Sequence, residues 1–120
     1  MTFQTFAQKG QPVSVVVNDV SSDWLKDTST CLGLRYKRLD DLIHAKVDSI
    51  SKEILWEKLG KPDRTQRFFS GTSKKNYVEY VYYICKKGCP KPLVSDISIV
   101  FVFEEAESHL VEIRVQDYSG

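Results

Sequence analysis

The chain has 120 residues, a formal net charge of +1, and a composition that is 42% hydrophobic, 28% charged and 12% aromatic. That length holds one domain with its own apolar core and needs no metal to fold. The composition excludes a disordered chain, and the near-zero charge excludes a global pull toward nucleic acid or acidic lipid.

Met1–Val20 reads as a lead-in. It lacks the long apolar stretch behind a basic start that marks a signal peptide, and no apolar run in the chain reaches bilayer length. Gly10-Gln11-Pro12 is a turn signal, and the β-branched run Val13–Val17 predicts an edge strand. Residues 21–120 read as a single α+β domain. Ser21-Ser22-Asp23 offers N-cap chemistry before Trp24. Trp24, Cys31, Arg35, Leu39, Leu42 and Ile43 fall near one helical stripe, interrupted by Thr28–Thr30 and Gly33. This predicts a loop or short turn over Trp24–Cys31 and a helix from about Leu32 to Lys46.

A second helix starts near Ser51, with Glu53 in its first turn and Ile50, Ile54, Leu55 and Leu59 on its apolar face. Trp56 lies off that face. The helix stops at Leu59-Gly60-Lys61-Pro62: glycine supplies a left-handed residue and proline forbids continuation.

Four strands follow without a crossover helix. Thr65–Ser70 leads into a polar turn at Gly71–Asn76. Tyr77–Cys85 places Val78, Tyr80, Tyr82 and Ile84 on one face, and Tyr77, Glu79, Val81 and Tyr83 on the other. Lys86–Leu93 is a loop punctuated by Gly88, Pro90 and Pro92. Asp96–Phe103 turns Ile97, Ile99, Phe101 and Phe103 to one face. Glu104–Ser108 is a tight acidic turn, and His109–Asp117 places Val111, Ile113 and Val115 inward. Such turns predict an antiparallel meander with two N-terminal helices packed on one face.

Charge is uneven along this sheet. Residues 61–91 carry a net of +6 and residues 92–120 a net of −5, so neighbouring strands are expected to neutralise one another. The face away from the helices is half apolar and rich in tyrosine, where an exposed sheet face ordinarily carries polar residues. Tyr77, Val81 and Tyr83 are its candidate partner-binding anchors, joined by Val100 and Val102, with Glu79 and Arg114 as a polar rim. On this reading Tyr83→Ala and Val100→Asp remove partner capture and leave the fold intact. The competing reading covers this face with Val13–Val17 or with a second copy of the chain, so a homodimer is an allowed arrangement.

Chemistry-bearing residues are sparse. Cys31, Cys85 and Cys89 are an odd set, and a structural disulfide from Cys31 to Cys89 or Cys85 is preferred, contributing roughly 3–4 kcal/mol. Cys85-Lys86-Lys87-Gly88-Cys89 is spaced poorly for zinc, and a redox pair would open a helix rather than a strand loop. His44 and His109 have no nucleophile context. Glu104, Glu105 and Glu107 fit a solvated hairpin tip better than a calcium loop. Lys86, Lys87 and Lys91 near Tyr82 and Tyr83 fit a solvated loop better than a nucleic-acid or lipid contact. No metal site or cofactor is expected.

The segments Ile54–Pro62, Tyr80–Ile84, Ile97–Phe103 and Leu110–Val115 together resemble the SmpA/OmlA (BamE-like) lipoprotein domain, whose layout is that of the β-lactamase-inhibitor-protein fold. The run Trp24-x-x-Asp27-x-x-x-Cys31-x-x-x-Arg35 is similar to small uncharacterised lipoproteins of the Bacteroidetes type. The resemblance spans roughly residues 22–117. It implies a non-enzymatic scaffold or protein-binding domain of the bacterial envelope, in the periplasm or at the outer membrane. Such a domain meets the membrane only through a lipid anchor, binds a protein partner and binds no nucleic acid. The alternatives are a cytoplasmic location, an inhibitor acting through Lys86–Pro92, and a small thiol- or metal-dependent enzyme using Cys85 and Cys89.

Overall fold

The structure, a computed structural model, describes residues 10–85, 97–107 and 109–117. Three helices precede a four-stranded sheet: α1 (Val13–Lys26), α2 (Leu34–Ile43), α3 (Lys52–Leu59), then β1 (Arg64–Ser70), β2 (Lys75–Cys85), β3 (Ile97–Glu104) and β4 (His109–Asp117). The strands lie in the order β1-β2-β3-β4 and every pair is antiparallel, so the sheet is a meander in an α+β fold.

The helical layer has one element more than the sequence suggests. Val13–Val17 is not an edge strand but the opening of α1, and Trp24 sits inside that helix rather than in a loop. Val13, Val16, Val17, Val20 and Trp24 recur at helical spacing and are all buried. The β-branched run favours a strand locally, but burial of this stripe outweighs the few tenths of a kcal/mol that each valine loses in a helix. Gln11 and Val13 clamp the start of α1 to the end of α2, with Val13 N–H donating to the Lys46 carbonyl (2.8 Å) and Lys46 N–H to that of Gln11 (2.7 Å).

The remaining two helices are shorter than or close to expectation. α2 begins after Gly33, which adopts φ 80 and has no side chain to cap with. Buried Asp27 supplies the cap instead, accepting from Leu32 N–H (3.0 Å) and Arg35 N–H (3.1 Å). Ser51 caps α3 by accepting from Ile54 N–H, and Gly60 ends it at φ 85 with its carbonyl accepting from the Tyr82 hydroxyl (2.7 Å). A side chain at Gly60 would be strained by that φ and would sit 3.3 Å from Leu25.

The core lies between the helices and the inner sheet face. Val78, Tyr80, Tyr82 and Ile84 of β2 and Ile99, Phe101 and Phe103 of β3 pack against Val17, Val20, Trp24, Leu42, Leu55 and Leu59. Edge-to-face aromatic contacts run from the helices into the sheet, Trp24 to Tyr82 (6.2 Å) and Trp56 to Tyr80 (5.6 Å), and on across it, Tyr82 to Phe101 (5.8 Å) and Tyr80 to Phe103 (5.4 Å). Trp56 thus finds its neighbour in β2.

β4 departs from simple alternation. A register shift beside Phe103 pairs that residue with Leu110 and Val102 with Glu112, leaving Val111 as an extra residue between them. Leu110 takes the buried inward position, and Val111 is exposed instead of inward. Val115 keeps inward parity, opposite Ile99, yet remains 42% exposed on this edge strand.

Candidate functional site

The outer sheet face is built by register. Arg64, Val81, Val100 and Arg114 lie in one row across the four strands, and Gln66, Glu79, Val102 and Glu112 lie in the next. The first row puts an arginine at each end of two valines. The second puts a carboxylate on β2 and another on β4, flanking Val102.

These neighbours convert the apolar centre into a second, small core. Val81, Val100 and Val102 are buried, with Tyr77 and Tyr83 packed against them half-buried. The Arg114–Glu79 ion pair runs from β4 to β2 above β3, over the strand segment that carries Val100 and Val102. Gln66 donates to Glu79 (2.9 Å), Arg64 donates to Gln66, and Arg114 also reaches Glu112 (3.5 Å). Glu79 is itself buried and depends on these donors, since an unpaired buried carboxylate is costly.

The sequence-derived contact set therefore divides. Tyr77, Tyr83 and Arg114 are half-buried and reachable, whereas Val81, Val100, Val102 and Glu79 are not open anchors. The valines are covered because long polar side chains from flanking strands lie over β3. Val100→Asp consequently places a charge in a fully buried position and cannot leave the fold intact.

A reachable apolar surface does exist, at the β1–β2 turn end of the same face. Phe68, Tyr77, Val102 and Val111 floor a shallow depression of about 370 Å³, rimmed by Ser70, Thr72, Ser73 and Glu112. Phe68 and Tyr77 stack at 5.3 Å with an interplanar angle of 23°, and the Tyr77 hydroxyl meets Ser73 Oγ at 3.0 Å. Phe68 is 41% exposed and Val111 39%. Phe68 was legible from parity, because polar Gln66 and Ser70 share its face. Val111 was not, because only the bulge turns it outward.

Two other constellations have structural explanations. Arg35, buried between α2 and the sheet, donates to the carbonyls of Trp24 (3.3 Å) and Tyr83 (3.0 Å), lies 3.5 Å from Asp63, and stacks 5.0 Å over the Trp24 ring. Burial pulls its pKa below the ordinary arginine value, and the charges of Asp63 and Asp27 oppose that shift. Trp24, Asp27 and Arg35 of that spacing are thus the wiring of this knot. On the surface of the same layer, Arg38 bridges Asp19, Asp23 and Asp41. Partial burial lowers its pKa, but the hydrogen bonds it donates to Asp41, Asp23 and Asp19 outweigh this and hold it raised.

The second is at the β3–β4 turn, where His109 lies 3.8 Å from Glu104 and 3.5 Å from Glu107, with all three able to aim one ligand atom at a common point. Lys75 already pairs with buried Glu104 at 3.4 Å. Buried Glu104 therefore has its counter-charge in Lys75, and the cluster reads as a charged hairpin end.

Cys31 is disulfide-bonded. The Cys85 side chain, Cys89 and the Lys86–Pro92 loop lie outside the described residues. No helix among the described residues is long and apolar enough to cross a membrane. No protein-family model, curated protein or solved structure matches this chain.

Proposed function

We propose that this chain is a non-enzymatic protein-binding or scaffold domain of the bacterial cell envelope, recognising a protein partner through the outer face of its sheet. The observation that carries the reading is the depression floored by Phe68, Tyr77, Val102 and Val111. A stacked aromatic pair beside two valines, ringed by hydroxyls and one carboxylate, has the character of an interface centre: apolar, rigid and polar at its rim. The charged groups beside it are tied to each other in structural pairs, which suits recognition rather than turnover.

The anchors of the proposal are Phe68, Tyr77 and Val111, with Tyr83 and Arg114 at the margin. The buried valines act beneath them as support. The envelope placement follows the SmpA/OmlA resemblance, with contact to the membrane through a lipid anchor. It draws support from the disulfide at Cys31, because such bonds persist in oxidising compartments.

The test uses the purified domain carrying Phe68→Ser and Val111→Lys as bait in a solubilised envelope extract. Both positions are exposed, so stability should stay within about 0.5 kcal/mol of the parent. The reading expects a discrete captured protein with the parent domain and its loss with the variant. Equal capture by both would overturn it.

A further inference from the structure

The two edges of the sheet are unlike. β4 carries the bulge at Val111, and its outward side chains are engaged, Arg114 with Glu79 and Glu112. Bulges and charged pairs of this kind discourage a further strand. β1 is different. It pairs with β2 in unbroken register from Arg64 to Ser70, and none of its seven residues is buried. Among the described residues no strand pairs with its other side, where a row of backbone N–H and C=O groups lies.

That edge is also basic. From Lys61 to Lys75 the chain carries Lys61, Arg64, Arg67, Lys74 and Lys75, all exposed, against the single acid Asp63. Asp63 is turned inward, accepting from Tyr83 N–H (2.9 Å) and lying beside Arg35. Arg67 reaches Glu105 at 3.2 Å, but both side chains are solvated, so the pair is weak. Phe68 and Phe69 project to opposite sheet faces by strand alternation, 41% and 58% exposed.

We infer that β1 captures an extended acidic peptide segment of the partner by strand addition. Carboxylates of that segment would lie against Arg64 and Arg67, and its apolar side chains against Phe68 and Phe69. The inference rests on the protein-binding reading and names the chemistry of the partner. An edge offers donors and acceptors in alternation, a pattern that an extended backbone matches in register; the phosphates of a nucleic acid supply acceptors alone. A second copy of this chain fits less well, because two β1 edges bring four arginines together with no acid between them.

The experiment titrates the purified domain with three labelled probes: a short peptide with two glutamates three residues apart beside a pair of valines, so that each face of the added strand carries one of each, the same peptide with lysine for glutamate, and oligothymidylate. Binding is read by fluorescence anisotropy and the site by amide hydrogen exchange. The glutamate peptide should bind, slow exchange of β1 amides at least about tenfold, and leave β4 unchanged. The lysine peptide should not bind. Charge reversal by Arg64→Glu with Arg67→Glu should weaken the glutamate peptide at least about tenfold, roughly 1.4 kcal/mol, and favour the lysine one. No binding of the glutamate peptide overturns the inference, as does oligothymidylate binding as tightly without β1 protection. Binding that perturbs Tyr77, Val102 and Val111 but not the β1 amides overturns the edge inference and leaves the outer-face reading standing. That reading falls separately if partner capture ignores Phe68→Ser and Val111→Lys.

Discussion

The inner and outer faces of this sheet are both apolar at their centres, and they are covered by different means. On the inner face Phe101, Phe103, Tyr80 and Tyr82 meet three helices. On the outer face Val81, Val100 and Val102 are as deeply buried, yet part of their cover is a lattice of side chains strung between strands: Arg64, Gln66, Glu79, Arg114 and Glu112. The lesson is that apolar residues on the central strands β2 and β3 announce burial, not exposure. The reachable apolar surface lies where the lattice stops, at Phe68, Tyr77 and Val111.

The strongest test of this comparison is a pair of substitutions at opposite faces of β3. Phe101→Ala should cost about 3–5 kcal/mol in urea unfolding, as a large cavity in the main core. Val100→Asp should cost a similar amount, about 3–5 kcal/mol, because its charge has no partner in the second core. If Val100→Asp is near neutral, the outer face is not a core at all. Arg114→Met comes next. It removes the arginine from buried Glu79 but keeps an apolar stem over Val100, and should cost about 2 kcal/mol, discounted because Arg114 is one-third exposed. Adding Glu79→Leu should recover most of that loss, since the orphaned carboxylate goes with it. Additive losses in the double variant would contradict the lattice.

A pH experiment sharpens the inner side. Tyr82 is fully buried and donates to the Gly60 carbonyl, and burial pushes its pKa far up, with the Arg35 charge opposing. In the unfolded chain its phenol ionises near pH 10, so its contribution is intact below that and lost as pH rises further, by about 1.4 kcal/mol per unit. Tyr82→Phe should cost about 1 kcal/mol at neutral pH and remove this slope, so the two unfolding curves converge as pH climbs toward 11. Parallel curves would mean Tyr82 reaches solvent. Smallest of all is Phe68→Ser, within about 0.5 kcal/mol of the parent by the same measurement. A larger loss would move Phe68 from interface to core.

How far the sequence spoke depended on whether a feature was local. Ser51, Gly60 and Pro62 bound α3 by chemistry each residue carries itself, and the alternation of β2 and β3 assigned the inner face correctly. α1 was misread because Val13–Val17 looks like a strand in a short window; the stripe Val13, Val16, Val17, Val20, Trp24 needs a window of a dozen residues to show itself. The cover over Val100 and Val102 was not legible, because it depends on which residues the register sets beside β3. Val111 was lost to a bulge, which shifts facing without any mark in composition. Asp27 and Arg35 were visible as a spacing, but their roles as helix cap and buried tether required the fold.

The central claim is that the partner meets the outer face at the Phe68 depression. A photo-crosslinking residue placed at Phe68 and, in a second protein, at Val15 on the helical layer tests it directly, since both positions are exposed. Irradiation in cells should give a discrete covalent adduct with another protein from Phe68 and none from Val15. No adduct at Phe68, or the same adduct from both positions, would contradict the account.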